Sequence, residues 1–392
     1  MQAGCSLRKI ISIIEIVNNL TDNYFGEIPC YNTVKNWTLK CGLNTYDNIK
    51  LPLSGKPYAI VIDESMMIGS CKMLLLLAIP AEHLGRPINH GDVLVAGIKV
   101  AKVFNSEGVK ECLAKVVERI GYTPQYVICD NDSKITKGVN LTGLKYHLDI
   151  THSLGMLLER TYKSESDFTE FTKQMSQAQF KYNMQKEAYL LPPKQRTIAR
   201  FINLDNWVKW AERVLINYHN FTTKERQMLA FVPQYASFMN EMSEVMTCVR
   251  DIESECKHQG LSKETAKACI SKVNKSLMGK TERMHALGDL FINYLTDQVK
   301  WLSEEDVHNN SSDIIESTFG IYKNLKSPNK LYGVTSYVLS LPVKGLFAKE
   351  NSTSKVEVKE HLESIKIKNI SKWQQENLLQ NLVKERLRVL SA

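Results

Sequence analysis

Apolar positions along the chain change their period twice, and the changes divide it. Residues 7–20, LRKIISIIEIVNNL, repeat apolar side chains at three-to-four spacing, the pattern of an amphipathic helix. Residues 28–43, IPCYNTVKNWTLKCGL, predict a short helix with Val34, Trp37 and Cys41 turned inward and Lys35, Asn36 and Lys40 outward, closed by Gly42. Two helices so joined are either an ordinary helical hairpin or a helix-turn-helix whose second helix enters a DNA groove.

From Pro57 the period becomes strand-like. YAIVIDES (58–65), CKMLLLLAIP (71–80) and DVLVAGIKVAKVF (92–104) are short, apolar and bounded by Gly, Pro, Asn or Asp, so each predicts a strand. A helix over 107–120 follows, with Asn105 and Ser106 as caps. PQYVICD (124–130) predicts a fourth strand, SKITKGVNL a short helix and KYHLDI (145–150) a fifth strand. The order β-β-β-α-β-α-β describes a mixed sheet, a three-stranded meander continued by parallel crossovers. After Thr151 strand signals vanish. RTIARFINLDNWVKWAERVLINYH (196–219) and ALGDLFINYLTDQVKWL (286–302) are helical in period, with Pro192 and Pro193 as a breaker, and predict an all-α block. SDIIESTFGIYKN (312–324) adds a helix, and the tail ends in the amphipathic ISKWQQENLLQNLVKERLRVL.

Composition narrows the function classes. With 392 residues, 43% hydrophobic and 23% charged, the chain has the makeup of a globular protein of two or three domains. Its longest apolar run, Met73 to Ala81, is too short to span a bilayer, and no secretory signal is evident, so neither a membrane nor a secreted protein is expected. The nine cysteines form no CxxC pair, which fits reduced thiols in the cytosol. Cys256 and His258 lack a second pair at zinc-finger spacing. NKSLMGKT (274–281) ends like a phosphate-binding loop, but Asn274 stands where the first glycine belongs and no strand precedes it. A net charge of +8 mildly favours a polyanionic partner.

Against this background the carboxylates stand out. Asp63 interrupts the first strand and Asp130 ends the fourth, and the strand order makes these two strands neighbours. Paired carboxylates repel, whereas one or two magnesium or manganese ions turn them into a favourable site. A third carboxylate on a packed helix would complete a two-metal centre for phosphodiester chemistry, and Glu316, among Ile314, Ile315 and Phe319, is the candidate. Glu64 belongs to the opposite sheet face. Asp132 reads as a helix cap and Asp313 as a first-turn acid.

AIVIDES, YVICDND and DIIESTFGIYK together resemble the DDE-type transposases of bacterial insertion sequences, within the ribonuclease H-like superfamily that includes retroviral integrases. The resemblance extends over residues 28–390 when TVKNW, DITH and SKWQQENLLQNLVKERLR are counted. It implies a ribonuclease H-like α/β fold (β-β-β-α-β-α-β-α) interrupted by a large all-α insertion. The expected parts are a helical DNA-binding region (1–50), the first part of the core (51–152), the insertion (153–310), the final core helix (311–330) and a helical tail (331–392). Asp63, Asp130 and Glu316 would be catalytic and hold two Mg²⁺ ions, with Mn²⁺ as substitute. Lys323, two helical turns after Glu316 and on its face, would contact phosphate. Lys35, Asn36, Lys40, Lys209 and Arg213 are further candidates for DNA contact, with Lys194 and Arg196. Asp149 and His152 form an accessory pair at the start of the insertion. Asn309 and Ser312 stand where some insertion-sequence families place Tyr and Arg before the Glu. The implied activity is strand cleavage and transfer at the ends of a mobile element, by a homodimer or larger assembly on double-stranded DNA, in the bacterial cytoplasm near the nucleoid. The alternatives are a catalytically silent DNA-binding descendant and a nuclease of the same fold without transfer activity.

Overall fold

A computed structural model describes residues 5–65, 67–193, 201, 204–326, 329–347, 358–380 and 382–391. The chain forms two compact units, one made of Met1–His147 with Ser311–Ala392, the other of Leu148–Asn310.

The first unit is α/β. Its five strands are β1 (Tyr58–Glu64), β2 (Lys72–Pro80), β3 (Leu94–Ala101), β4 (Val127–Cys129) and β5 (Tyr146–Leu148), in the order β3-β2-β1-β4-β5. β1 pairs antiparallel with β2, and β2 with β3, whereas β1 and β4 are parallel. Tyr58 to Ile62 and Met73 to Ile79 are buried without alternation. A strand covered on both faces has no solvent side to mark with polar residues, which is why these segments read as continuous apolar runs. The connections after β3 and β4 carry α4 (Ser106–Ile120) and α5 (Ser133–Asn140). Asn105 caps α4 by accepting from Gly108 N at 2.8 Å, and Gly121, at φ 93°, ends it. Asp132 caps α5, accepting from Lys134 N and Ile135 N at 2.8 and 3.3 Å.

The N-terminal helices are α1 (Leu7–Leu20) and α2 (Tyr31–Asp47), followed by the single turn α3 (Lys50–Leu53). α2 departs from its sequence pattern. It runs past Gly42 to Asp47, because Gly42 is a contact point and not a cap: an added Cβ would lie 1.8 Å from the Leu339 carbonyl oxygen. Its buried side chains are Thr38, Leu39, Cys41, Leu43 and Tyr46, while Trp37, expected inward, is 43% exposed. The reason lies far along the chain. α14 (Ser340–Phe347), α15 (Val358–Ser364) and α16 (Ile367–Asn377) all pack on α2 and choose which of its faces is buried. The amphipathic tail is two helices, α16 and α17 (Leu382–Leu390).

Tyr46 and α16 also close the outer margin of β3. Ile98 N donates to Tyr46 Oη at 3.3 Å, and the Arg119 guanidinium, 4.1 Å above the Tyr46 ring, donates to the Ala96 carbonyl. Trp373 meets the Tyr46 ring edge-on at 5.8 Å. α13 (Asp313–Leu325) packs on β1, its buried face including Ile315, Phe319 and Tyr322.

The second unit is helical, as its sequence predicts: α6 (Ile150–Tyr162), α7 (Ser166–Tyr182), α8 (Leu204–Asn217), α9 (Thr223–Leu229), α10 (Ala236–Gln259), α11 (Lys263–Ser276) and α12 (Glu282–Val299). One isolated bridge, Leu261 to His308, is its β-type pairing among the described residues. Thr281 of the loop-like NKSLMGKT stretch is the N-cap of α12, accepting from Met284 N at 3.3 Å. At the margin of this unit's core, half-buried Arg283 meets buried Glu241 at 2.6 Å and the more exposed Glu165 and Asp167 at 3.2 and 3.3 Å, and Tyr162 Oη donates to Glu241 at 2.8 Å. Burial and the Glu241 charge push the Tyr162 phenol far up, so it stays a donor. Among the described residues no helix is long and apolar enough to cross a membrane.

Candidate active site

The parallel register of β1 and β4 runs Ile60 with Val127, Val61 with Ile128 and Ile62 with Cys129. Asp63 is the next residue of β1 and Asp130 the first residue after β4, so the register, carried one residue further, sets their backbones side by side at the C-terminal end of the strand pair. Both are half-buried. Each carboxylate also steadies its own backbone: Asp63 Oδ1 accepts from Glu64 N at 2.6 Å, and Asp130 Oδ1 from Asp132 N at 3.1 Å. Glu64 is ion-paired to Lys72 on the neighbouring strand, and Asp132 is engaged as the cap of α5. The two remaining acids of the VIDES and CDND stretches therefore have structural work.

Glu316 lies in the first turn of α13, exposed, with Ile315 wholly buried beside it. α13 packs on β1, the strand that carries Asp63, so all three acids belong to one compact unit. Among the described residues no group of three or more His, Cys, Asp and Glu side chains is gathered closely enough to hold a metal ion. The structure thus juxtaposes Asp63 and Asp130 and carries Glu316 on the adjoining helix, without drawing it into one cluster with them. Asp313 is exposed in the same first turn. Lys323 is half-buried, its Nζ 6.0 Å from the Phe319 ring centroid.

The other expected contacts divide. Lys35 and Asn36 are half-buried on the N-terminal half of α2. Lys40, expected to face outward to DNA, donates instead to the Leu362 carbonyl at 2.9 Å. The tail helix α15 reaches that side of α2, which the local pattern does not reveal. Lys209 is paired with Asp205 at 2.6 Å, one turn earlier on α8, while Arg213 is exposed. Lys194 and Arg196 lie outside the described residues. Asp149, fully buried, caps α6 and accepts from His152 twice, from its backbone N at 2.7 Å and from its ring at 2.9 Å. The pair therefore fixes the first turn of the helical unit.

One neighbour of Glu316 escaped the sequence. His90, in the turn His90–Asp92 before β3, places Nε2 3.1 Å from Ser317 Oγ, the residue after Glu316. Burial lowers its affinity for a proton, and the Lys344 ammonium lowers it further, so the imidazole is held neutral. A lone His in NHGD carries no signal of this; the contact exists because α14 brings the turn and α13 together. Comparison of the sequence with protein-family models and with curated proteins finds no match to either.

Proposed function

We propose that the chain is a metal-dependent transposase of the DDE type, cutting DNA strands at the ends of a mobile element and transferring them. The observation that carries this reading is the placement of Asp63 near the end of β1 and of Asp130 directly after β4, on adjacent parallel strands and at the same end of the sheet. The strand order β3-β2-β1-β4-β5, with three antiparallel strands leading into two helical crossovers, is what the ribonuclease H-like resemblance implies and supports it. So does the position of Glu316, on a helix packed against β1 and reached only after the helical unit of Leu148–Asn310.

The donor set fits a hard divalent cation. Two half-buried carboxylates side by side repel each other, and carboxylate oxygens suit Mg²⁺ or Mn²⁺. Asp63 and Asp130 would hold the ions, with Glu316 as the third carboxylate. Bound there, the ions supply activation of water, and later of a DNA 3′ hydroxyl, together with stabilisation of the departing oxygen. The chain's own residues do the rest. The backbone hydrogen bonds to Asp63 and Asp130 orient the carboxylates before anything binds. Lys323 contacts a DNA phosphate, and Lys35, Asn36 and Arg213 add sequence-independent contacts that weaken with salt. Two element ends handled together make a homodimer on DNA the working form.

The test is Mg²⁺-dependent cleavage of a plasmid carrying the element's flanking sequences, with transfer of a labelled 3′ hydroxyl end into a second plasmid. Asp63→Asn and Glu316→Gln abolish both reactions if the reading is right. Full cleavage by Asp63→Asn ends it, and cleavage without transfer by the wild type favours the nuclease.

A further inference from the structure

Between β3, α4 and α16 lies a cavity of about 770 Å³. Small-molecule sites are typically apolar clefts of roughly 300–1,000 Å³ with a few placed polar groups. β2 separates β3 from β1, so the cavity is apart from the paired carboxylates. Its lining includes the aliphatic Leu76, Ile98 and Val116 and the rings of Tyr46, Phe104 and Trp373.

Two lining residues hold hydrogen-bond donors with nothing to receive them. Trp373 is 7% exposed, and its buried indole N–H meets no acceptor among the described residues. Arg119 donates to the Ala96 carbonyl through one nitrogen, while its Nε–H, also buried, meets none. Both residues stand against the Tyr46 ring, the guanidinium 4.1 Å above it and the indole edge-on at 5.8 Å. Indole and guanidinium only donate, so an acceptor alone satisfies them. A buried donor left unmatched costs free energy, which an arriving oxygen restores. Both nitrogens are covered, so a wall must yield slightly for that oxygen to reach them. α16 is that wall: the hydrogen bond described between it and β3, from Lys99 Nζ to the Glu376 carbonyl, is long at 3.5 Å.

Charge narrows the ligand further. Lys99, Lys115 and Arg119 line the cavity, and none has a carboxylate at ion-pair distance among the described residues. Burial pushes the thiol of half-buried Cys112 up, against the pull of the Lys99 and Lys115 ammoniums, so both cations stand near it. Two exposed carboxylates, Glu111 and Glu376, also line the cavity, the second paired with Lys372 at 3.9 Å. With Lys372 counted, and with Asp47, which lies near enough to feel Arg119, the balance is one positive charge. A polyphosphate would be repelled by the carboxylates, whereas a single negative charge matches.

We propose that this cavity binds an aromatic monocarboxylate, its flat body among Tyr46, Phe104 and Trp373 and its oxygens on the Trp373 and Arg119 N–H groups, with Lys99 and Lys115 supplying attraction. The site stands independently of the DNA-cleaving reading.

The experiment uses the full chain, with cinnamate as probe, cinnamamide as its uncharged counterpart and octanoate as a carboxylate without a ring. Calorimetric titration measures affinity, and peptide mass spectrometry follows alkylation of Cys112 by iodoacetamide. Cinnamate is expected to bind saturably, about tenfold or more tightly than either counterpart, to raise the melting temperature and to slow alkylation of Cys112. Trp373→Phe keeps a ring and deletes the N–H. It is expected to melt at or above the wild type, because an unmatched donor is gone, and to bind cinnamate about tenfold more weakly. Lys115→Gln, on an exposed position, is expected to melt like the wild type and to bind severalfold more weakly. No saturable binding of cinnamate overturns the proposal. So does equal affinity for cinnamamide or octanoate, and so does binding that leaves Cys112 alkylation unchanged. A Trp373→Phe protein that binds like the wild type, or that melts well below it, overturns the assignment of the indole N–H and the proposal with it.

Discussion

If Asp63 and Asp130 form a cation site, neutralising one of them should stabilise the metal-free protein. Neighbouring strands lie about 4.8 Å apart, so two carboxylates leaving the same sheet face at one register are on the order of 5 Å from each other. At an effective dielectric of about 20 two such charges repel by about 3 kcal/mol. Both side chains are half-buried and not sealed, and solvent screening reduces the figure to about 1–2 kcal/mol. Asp63→Asn removes one charge yet keeps an oxygen to accept from Glu64 N–H, so the local backbone contact survives. In EDTA the variant should therefore melt about 2–6 °C above the wild type. Added Mg²⁺ should reverse the order: at ten times its dissociation constant it stabilises the wild type by about 1.4 kcal/mol, and the variant much less. Differential scanning calorimetry with and without Mg²⁺ reads both effects, and needs no substrate. An Asp63→Asn protein that melts at or below the wild type in EDTA, or gains as much from Mg²⁺, would refute the argument.

Further outcomes are expected at three places in the structure. Arg283→Met should cost about 3–4 kcal/mol in urea unfolding, because it leaves the Glu241 carboxylate, 7% exposed, without its cation. Glu241→Gln should cost only about 1–2 kcal/mol, since Arg283 keeps Glu165 and Asp167; equal costs would contradict the network as described. Asp149→Ala removes the cap of α6 and the partner of His152, a loss of about 2 kcal/mol, while Asp149→Asn should recover part of it; hydrogen exchange in the first turn of α6 is the readout. Burial pushes the Asp92 carboxyl up, but two Arg86 hydrogen bonds, the Asn89 N–H and the Arg86 charge outweigh it and hold the group below the usual aspartate range. Its stabilisation is present above the unfolded pKa and fades as pH falls through the lower folded value, so the pH-dependence of melting in that acid window should flatten in Asp92→Asn.

How much of this was legible beforehand follows from where each signal resides. The strands and their order were readable because Tyr58 to Ile62 and Met73 to Ile79 are continuous apolar runs, and because Asn105 and Asp132 mark the starts of α4 and α5 in the local sequence. The interruption by Asp63 and the ending on Asp130 then sufficed to locate the paired carboxylates. The inward face of α2 was not readable: Thr38, Leu39 and Leu43 are buried by helices of residues 340–377, and no local window contains that information. The partner of Lys40, the Leu362 carbonyl, was hidden for the same reason. His90 beside Ser317 and Arg283 among three acids are likewise meetings of distant segments.

The closure of β3 by Tyr46 and Arg119 bears on how copies of the protein can associate. A strand arriving at that margin needs free amide and carbonyl groups in alternation, and it finds Ile98 N–H and the Ala96 carbonyl already engaged by side chains. Continuous sheets running from one molecule into the next, and the fibrillar growth that begins in the same way, are thereby prevented on this side by two side chains.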